Sequence, residues 1–117
     1  MKNNLIEDKT LNFAIRIVNL YKYLTAEKKE YVLSKQILRS GTAIGALVKE
    51  AQHGESKADF IHKLSIALKE ANETEYWLTL LYKTDYITSK SFHSLLNDLK
   101  EILRILISII KTIKKKK

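Results

Sequence analysis

Residues 34–84 read SKQILRSGTAIGALVKEAQHGESKADFIHKLSIALKEANETEYWLTLLYKT, and this stretch decides the fold. It opens on Ser34, a residue type that caps helix N-termini, and its apolar residues then recur at helical spacing as far as His53. Gly54 follows, at the position where a left-handed helix end is least strained. Ser56 with Asp59 three residues on has the form of a capping box, and a second apolar periodicity runs from there to Thr84. The stretch predicts a helical hairpin with helices over 35–53 and 57–84. No segment alternates with strand period, so the expected architecture is all-α.

Upstream, Asp8 predicts the start of a helix over 9–24, with Ala14, Ile17, Val18, Tyr21 and Leu24 on one face. Residues 25–33 are charged and aperiodic and read as a loop. Downstream, Thr88 or Ser89 opens a helix over 90–114 that runs into a basic tail, 111–117. Four antiparallel helices with short connections make one up-down-up-down four-helix bundle, and 117 residues suit a single domain. Gly41 and Gly45 fall in mid-helix, where each costs about 1 kcal/mol against Ala. With Ser40, Ala43 and Ala46 beside them, they imply that another helix comes close.

The hairpin also sets a register. With a turn near residues 54–55, residues are level when their numbers sum to about 109. Arg39 is then level with Glu70 and Gln36 with Glu73, which predicts a polar network of Gln36, Arg39, Glu70 and Glu73 between the helices or across a subunit contact. The apolar residues exceed what one bundle needs. In the last helix Ile102, Leu103, Ile105, Leu106, Ile107, Ile109 and Ile110 span an arc of about 200°, against little more than about 100° for a packed helix. In the third, Phe60, Leu64, Ala67, Leu68, Ala71, Leu78 and Leu81 form a core stripe, with Ile66, Trp77 and Leu80 on another face. The surplus points to self-association through Ile66, Trp77, Leu80, Ile105, Ile107 and Ile109. Scattered exposed apolar residues are the ordinary alternative.

The net charge is +8, and five of the last seven residues are lysines. Without those five the balance falls to +3, so most of the excess is a tail. A stripe of Lys100, Arg104 and Lys111, leading into Lys114, Lys115, Lys116 and Lys117, is the candidate surface for the phosphates of RNA or DNA. Lys9, Arg16 and Lys22 add to it from the first helix, and Tyr23, Tyr82 and Tyr86 are candidates to stack on unpaired bases. A solvated helix end whose lysines suit the helix dipole reads the same way. A lipid surface is the least favoured partner. Residues 102–113 are interrupted by Arg104, Ser108 and Lys111 and fall short of the roughly 20 residues a span needs. Residues 1–8 lack the apolar run of a secretion signal, and the chain has no cysteine, which fits a cytoplasmic setting.

Catalytic constellations are sparse. Glu50 with His53, and Asp59 with His62, have the i, i+3 spacing of di-iron bundles. Both pairs fall at a bundle end, without the further carboxylates such a centre uses, so the reading is no metal and no cofactor. The glycines at 41, 45 and 54 form no phosphate loop, cysteine catalysis is excluded, and the serines have no base and orienting acid beside them. His93 lies early in the last helix with no evident partner in the sequence. The chain reads as a non-enzyme.

Residues 36–51, QILRSGTAIGALVKEA, resemble a signature of the bacterial four-helix bundle family also called the intervening-sequence proteins of large-subunit ribosomal RNA genes. Residues 56–78 are similar to its second signature, and residues 13–21, FAIRIVNLY, to its first helix. The similarity covers about residues 5–85. Leu47 departs from it, where the family usually carries Asn. The resemblance implies a four-helix bundle that assembles into a ring-like homo-oligomer, a pentamer, with no established enzymatic activity. Some members are encoded inside segments inserted in ribosomal RNA genes. A related branch is similar to the accessory variability determinant of diversity-generating retroelements, a basic barrel that binds nucleic acid and partners a reverse transcriptase. Arg39, Glu50, Asp59, Glu70 and Glu73 match the family's polar positions, with a structural role implied. The lysine tail is no part of the signature.

Overall fold

A computed structural model describes residues 4–116. It holds four helices: α1 (Asn4–Ala26), α2 (Leu33–Gln52), α3 (Lys57–Lys83) and α4 (Ser89–Lys115). No strand occurs among the described residues. Each helix packs on its neighbours in chain order and α4 returns to α1, so α2 and α4 occupy opposite corners of a square. The bundle measures 49 × 21 × 19 Å.

Each helix starts and stops for local reasons, several of them not the expected ones. α1 already includes Asn4, which places Asp8 inside the helix and not at its cap. Ile6 is fully buried, so the core face extends upstream of the expected start. That face is Ile6, Thr10, Phe13, Ile17, Leu20 and Leu24. Val18, expected on it, is exposed, because one residue past Ile17 turns the side chain by about 100°.

Ser34 does not cap α2; the buried Glu30 does. Its carboxylate accepts from the N–H groups of Val32, Leu33 and Ser34 at 3.1, 2.9 and 2.7 Å, while the Ser34 hydroxyl donates to the Glu30 carbonyl at 2.9 Å. Burial alone would raise the pKa of this carboxyl. The N–H groups of Leu33, Ser34 and Val32 outweigh it and hold the group below its ordinary value.

Gly54 is not left-handed; among the described residues the positive φ angles are at Lys29 (55°) and Asp85 (68°). A Cβ at Gly54 would lie 3.1 Å from the Ala51 carbonyl and from the Asp59 carboxylate, so this glycine answers to space. The Schellman-type ending belongs to α3, where the Tyr86 N–H donates to the Leu81 carbonyl (2.9 Å) and the Asp85 N–H to that of Tyr82 (3.1 Å). Ser56 and Thr88 cap α3 and α4, accepting from the N–H groups of Asp59 (3.0 Å) and Ser91 (3.1 Å).

The two mid-helix glycines face α1. A Cβ at Gly41 would meet both Cγ atoms of Ile17 at 2.9 Å; one at Gly45 would reach Thr10 at 3.4 Å. α4 buries Phe92, Leu95, Leu99, Ile102, Leu103, Leu106, Ile110 and Ile113, and Ile105 and Ile109 are half-buried against the same core. Its wide apolar arc is mostly taken up by its own bundle. Leu47 also packs against the core, which an Asn there would do poorly.

Candidate nucleic-acid interface

The basic side chains divide by whether a carboxylate sits beside them. Lys9 lies 3.0 Å from Glu101, and Arg16 bonds Asp98 at 2.7 Å and the Ser94 hydroxyl at 2.9 Å. Both are neutralised in the seam between α1 and α4. Lys100 lies 3.1 Å from Glu75, which withdraws it from the expected stripe in the same way. Each such exposed pair is worth only about 0–1 kcal/mol, but the cation is no longer free for a phosphate without competition.

Arg104, Lys111, Lys114, Lys115 and Lys116 have no ion pair among the described residues and are exposed. Lys117 lies outside the described residues. Arg104, Lys111 and Lys115 border a shallow groove along α4 with Ser108, Thr112 and the exposed Ile107. The row 104, 108, 111, 115 follows the i, i+4, i+7, i+11 spacing that runs straight along a helix, so three cations and the Ser108 hydroxyl share one line. A surface of this kind holds phosphates and lacks groups placed to read bases. The tyrosines divide likewise. Tyr82 is stacked on Phe92 (4.4 Å between ring centres, 9° between planes), Tyr86 packs on the core, and Tyr23 is exposed on the α1 side.

A second polar cluster joins α2 to α3. The Arg39 guanidinium sits between two carboxylates, donating to Glu73 and, at 3.4 Å, to Glu70 Oε2; Glu70 Oε1 is nearer, at 3.2 Å, but off the line of the N–H groups. The Trp77 indole donates to Glu73 at 3.1 Å. The indole first, then Arg39, hold the Glu73 carboxyl below its ordinary pKa, and the bonds to Glu73 and Glu70 raise that of Arg39. Beneath them the hydroxyls of Thr74 and Ser40 share a buried hydrogen bond of 2.9 Å. Gln36 is exposed and outside this cluster, because the longer Arg39 takes the carboxylate that its register offered.

At the bundle end, Glu50 and Asp59 share a shallow groove with His53, and Lys63 reaches Glu50 at 3.0 Å. No three His, Cys, Asp or Glu side chains converge there or elsewhere among the described residues. His93 does have a partner, its Nδ1 lying 2.8 Å from the Ser89 carbonyl. No helix is long and apolar enough to cross a membrane among the described residues.

The family model for the 23S rRNA-intervening sequence proteins matches residues 2–108. The chain belongs to that family. A crystal structure of a protein of unknown function from the S23 ribosomal protein family of Bacteroides thetaiotaomicron is similar to it at 64% identity and a TM-score of 0.90, over 91% of this chain and 98% of that one. No curated protein matches the chain. In this intervening-sequence protein, sequence reasoning missed the exposed apolar row Leu11, Ile15 and Val18 on α1, although its i, i+4, i+7 spacing is visible in the sequence. A single 9–24 face that included Val18 hid it.

Proposed function

We propose that this intervening-sequence protein is a non-enzymatic, homo-oligomeric helical bundle of the cytoplasm that binds RNA or DNA through phosphate contacts along the C-terminal half of α4. The observation that carries the reading is the segregation of charge. The cations of the α1–α4 seam are paired, whereas Arg104, Lys111, Lys114 and Lys115 of α4 and Lys116 just past its end are exposed and have no ion pair among the described residues. The family's name refers to 23S rRNA, which makes RNA the first polymer to test. The non-enzymatic part is supported by polar groups already engaged with one another, Glu50 with Lys63, Ser40 with Thr74 and Glu73 with Arg39. A ring of copies would pool the positive field of each protomer.

The test is binding of a labelled single-stranded RNA, and of the matching DNA, across a salt series. The expected log–log slope is about −0.7 to −0.9 per phosphate neutralised. Lys111→Ala and Lys115→Ala each reduce its magnitude by about 1, while Lys100→Ala, already paired with Glu75, changes it little. Absence of binding to either polymer at about 50 mM salt would favour the second reading, an oligomeric scaffold for a protein partner such as a reverse transcriptase. The exposed apolar row Leu11, Ile15 and Val18 of α1, with Tyr76 exposed on α3, is the feature that favours it.

A further inference from the structure

A cleft of about 410 Å³ opens between α1 and the start of α4, apart from the phosphate row and from the α2–α3 cluster. That volume lies within the roughly 300–1,000 Å³ of small-ligand sites. Its floor is apolar, made by the buried Leu20, Ile87 and Leu95. Its rim carries Asn19 and Ser91, which are exposed and whose side chains have no hydrogen bond among the described residues. Arg16 also lines it, its guanidinium fixed at 2.7 Å by Asp98 and at 2.9 Å by the Ser94 hydroxyl. Tyr23, two turns further along the same line of α1, completes the lining. It is 40% exposed and, unlike Tyr82, has no ring partner or side-chain hydrogen bond among the described residues. An apolar floor under a rim of amide, hydroxyl and aromatic groups suits a ligand with flat apolar faces and hydrogen-bonding edges. A nucleobase is such a ligand, and only when unpaired are its faces and edge both free.

The surroundings suit a polyanion. At this end of the bundle Lys22, Lys28, Lys29, Lys35, Lys83 and Lys90 stand exposed against Glu27 and Asp85, while the Glu30 carboxylate is committed to the first turn of α2. The cleft is also continuous with the phosphate row. Lys90, Asn97, Arg104 and Lys111 are exposed and seven residues apart, a spacing that drifts only about 20° per step and so keeps to one side of α4. Lys90 has no ion pair among the described residues and carries the row past the cleft. From Lys90 to Lys115 it runs about 37 Å at 1.5 Å per residue. Ser91, on the rim, follows Lys90 and lies about 100° round the helix from it. A strand whose phosphates follow the row therefore passes the mouth of the cleft, and a base turned aside by about that angle enters it.

We infer that this cleft takes one unpaired base of a single-stranded RNA whose phosphates lie on the α4 row, the base stacking on Tyr23 and its edge bonding Asn19 and Ser91. The inference rests on the α4 reading and adds to it a contact that paired strands do not make. The phosphate row holds either kind of strand by charge, and the cleft distinguishes them by shape.

The experiment uses the full chain and the variants Tyr23→Ala, Tyr23→Phe and Lys90→Ala. Each is titrated into a labelled single-stranded RNA, and into the same RNA annealed to its complement, across a salt series. The substituted positions are exposed, and circular dichroism checks that each variant keeps its helices. Tyr23→Ala should weaken single-strand binding by about five-fold or more. Its salt slope should be that of the wild type, because no phosphate contact is lost, and its duplex binding should be unchanged. Tyr23→Phe keeps the ring and should keep the affinity. Lys90→Ala should reduce the magnitude of the single-strand slope by about 1. A Tyr23→Ala variant that binds the single strand as the wild type does, or that loses duplex binding in equal measure, overturns the cleft and leaves the α4 reading standing. An unchanged slope for Lys90→Ala overturns the path of the strand past the cleft. A wild type that binds neither RNA at about 50 mM salt removes the α4 reading itself, and the cleft with it.

Discussion

The first helix meets its two neighbours in different ways. Along α2 the backbones come so close that position 41 has no room for a Cβ beside Ile17, and the end of the seam is sealed by Glu30, whose carboxylate holds the first turn of α2. Along α4 the same helix is met at its margin by long charged side chains, Lys9 with Glu101 and Arg16 with Asp98. The first seam is governed by steric fit and buried hydrogen bonds, which tolerate little. The second adds solvent-exposed ion pairs that salt screens. The difference locates where the bundle resists change and where it yields.

The sharpest way to break the contrast is Gly41→Val. Its branches enter the space of Ile17, and a loss of about 2–3 kcal/mol is expected by denaturant unfolding. Gly45→Ala is the control on the same seam. Its Cβ makes an ordinary contact with Thr10 at 3.4 Å, and better helix propensity should raise stability by up to about 1 kcal/mol. Next comes Glu30→Gln, expected to cost about 1–2 kcal/mol near neutral pH. The folded pKa of Glu30 is depressed. Its contribution is therefore full above the ordinary carboxylate value of about 4.3 and disappears as pH falls through the lower folded value. Thermal melts of wild type and variant should converge on acidification, and a gap that persists below pH about 2 would assign the effect elsewhere. The smallest effects belong to the other seam. Lys9→Ala and Arg16→Ala should each change stability by about 0–1 kcal/mol, less at high salt. A larger loss at either would mean that the α1–α4 contact depends on its ion pairs after all.

What the sequence made legible was local or one turn away. Ser56 and Thr88 can be read as caps because their hydrogen-bond partners lie three residues on. Arg39 can be set level with Glu70 because a short turn leaves the two helices little freedom of register. Glu30 was illegible as a cap, since nothing before the fold says that the chain reverses at Lys29 and brings that carboxylate over the start of α2. The basic stripe was legible in outline only. Lys100 looks like Arg104 until α3 places Glu75 beside the first, while Arg104 has no ion pair among the described residues. Arg16 is withdrawn by Asp98, 82 residues away, a pairing that requires the whole bundle to close. On α4 the periodicity showed how much of the helix is apolar but not how much of it the bundle's own core takes up.

The close approach of positions 17 and 41 has a consequence for how this chain can vary. The space between the two helices there belongs to neither residue alone, so a methyl group gained at one must be given up at the other. Among relatives with this backbone spacing, a side chain at the position of Gly41 should travel with a smaller residue at that of Ile17. In the laboratory Gly41→Ala combined with Ile17→Val should be milder than the two effects added together, a non-additivity that two neighbours sharing one cavity are bound to produce.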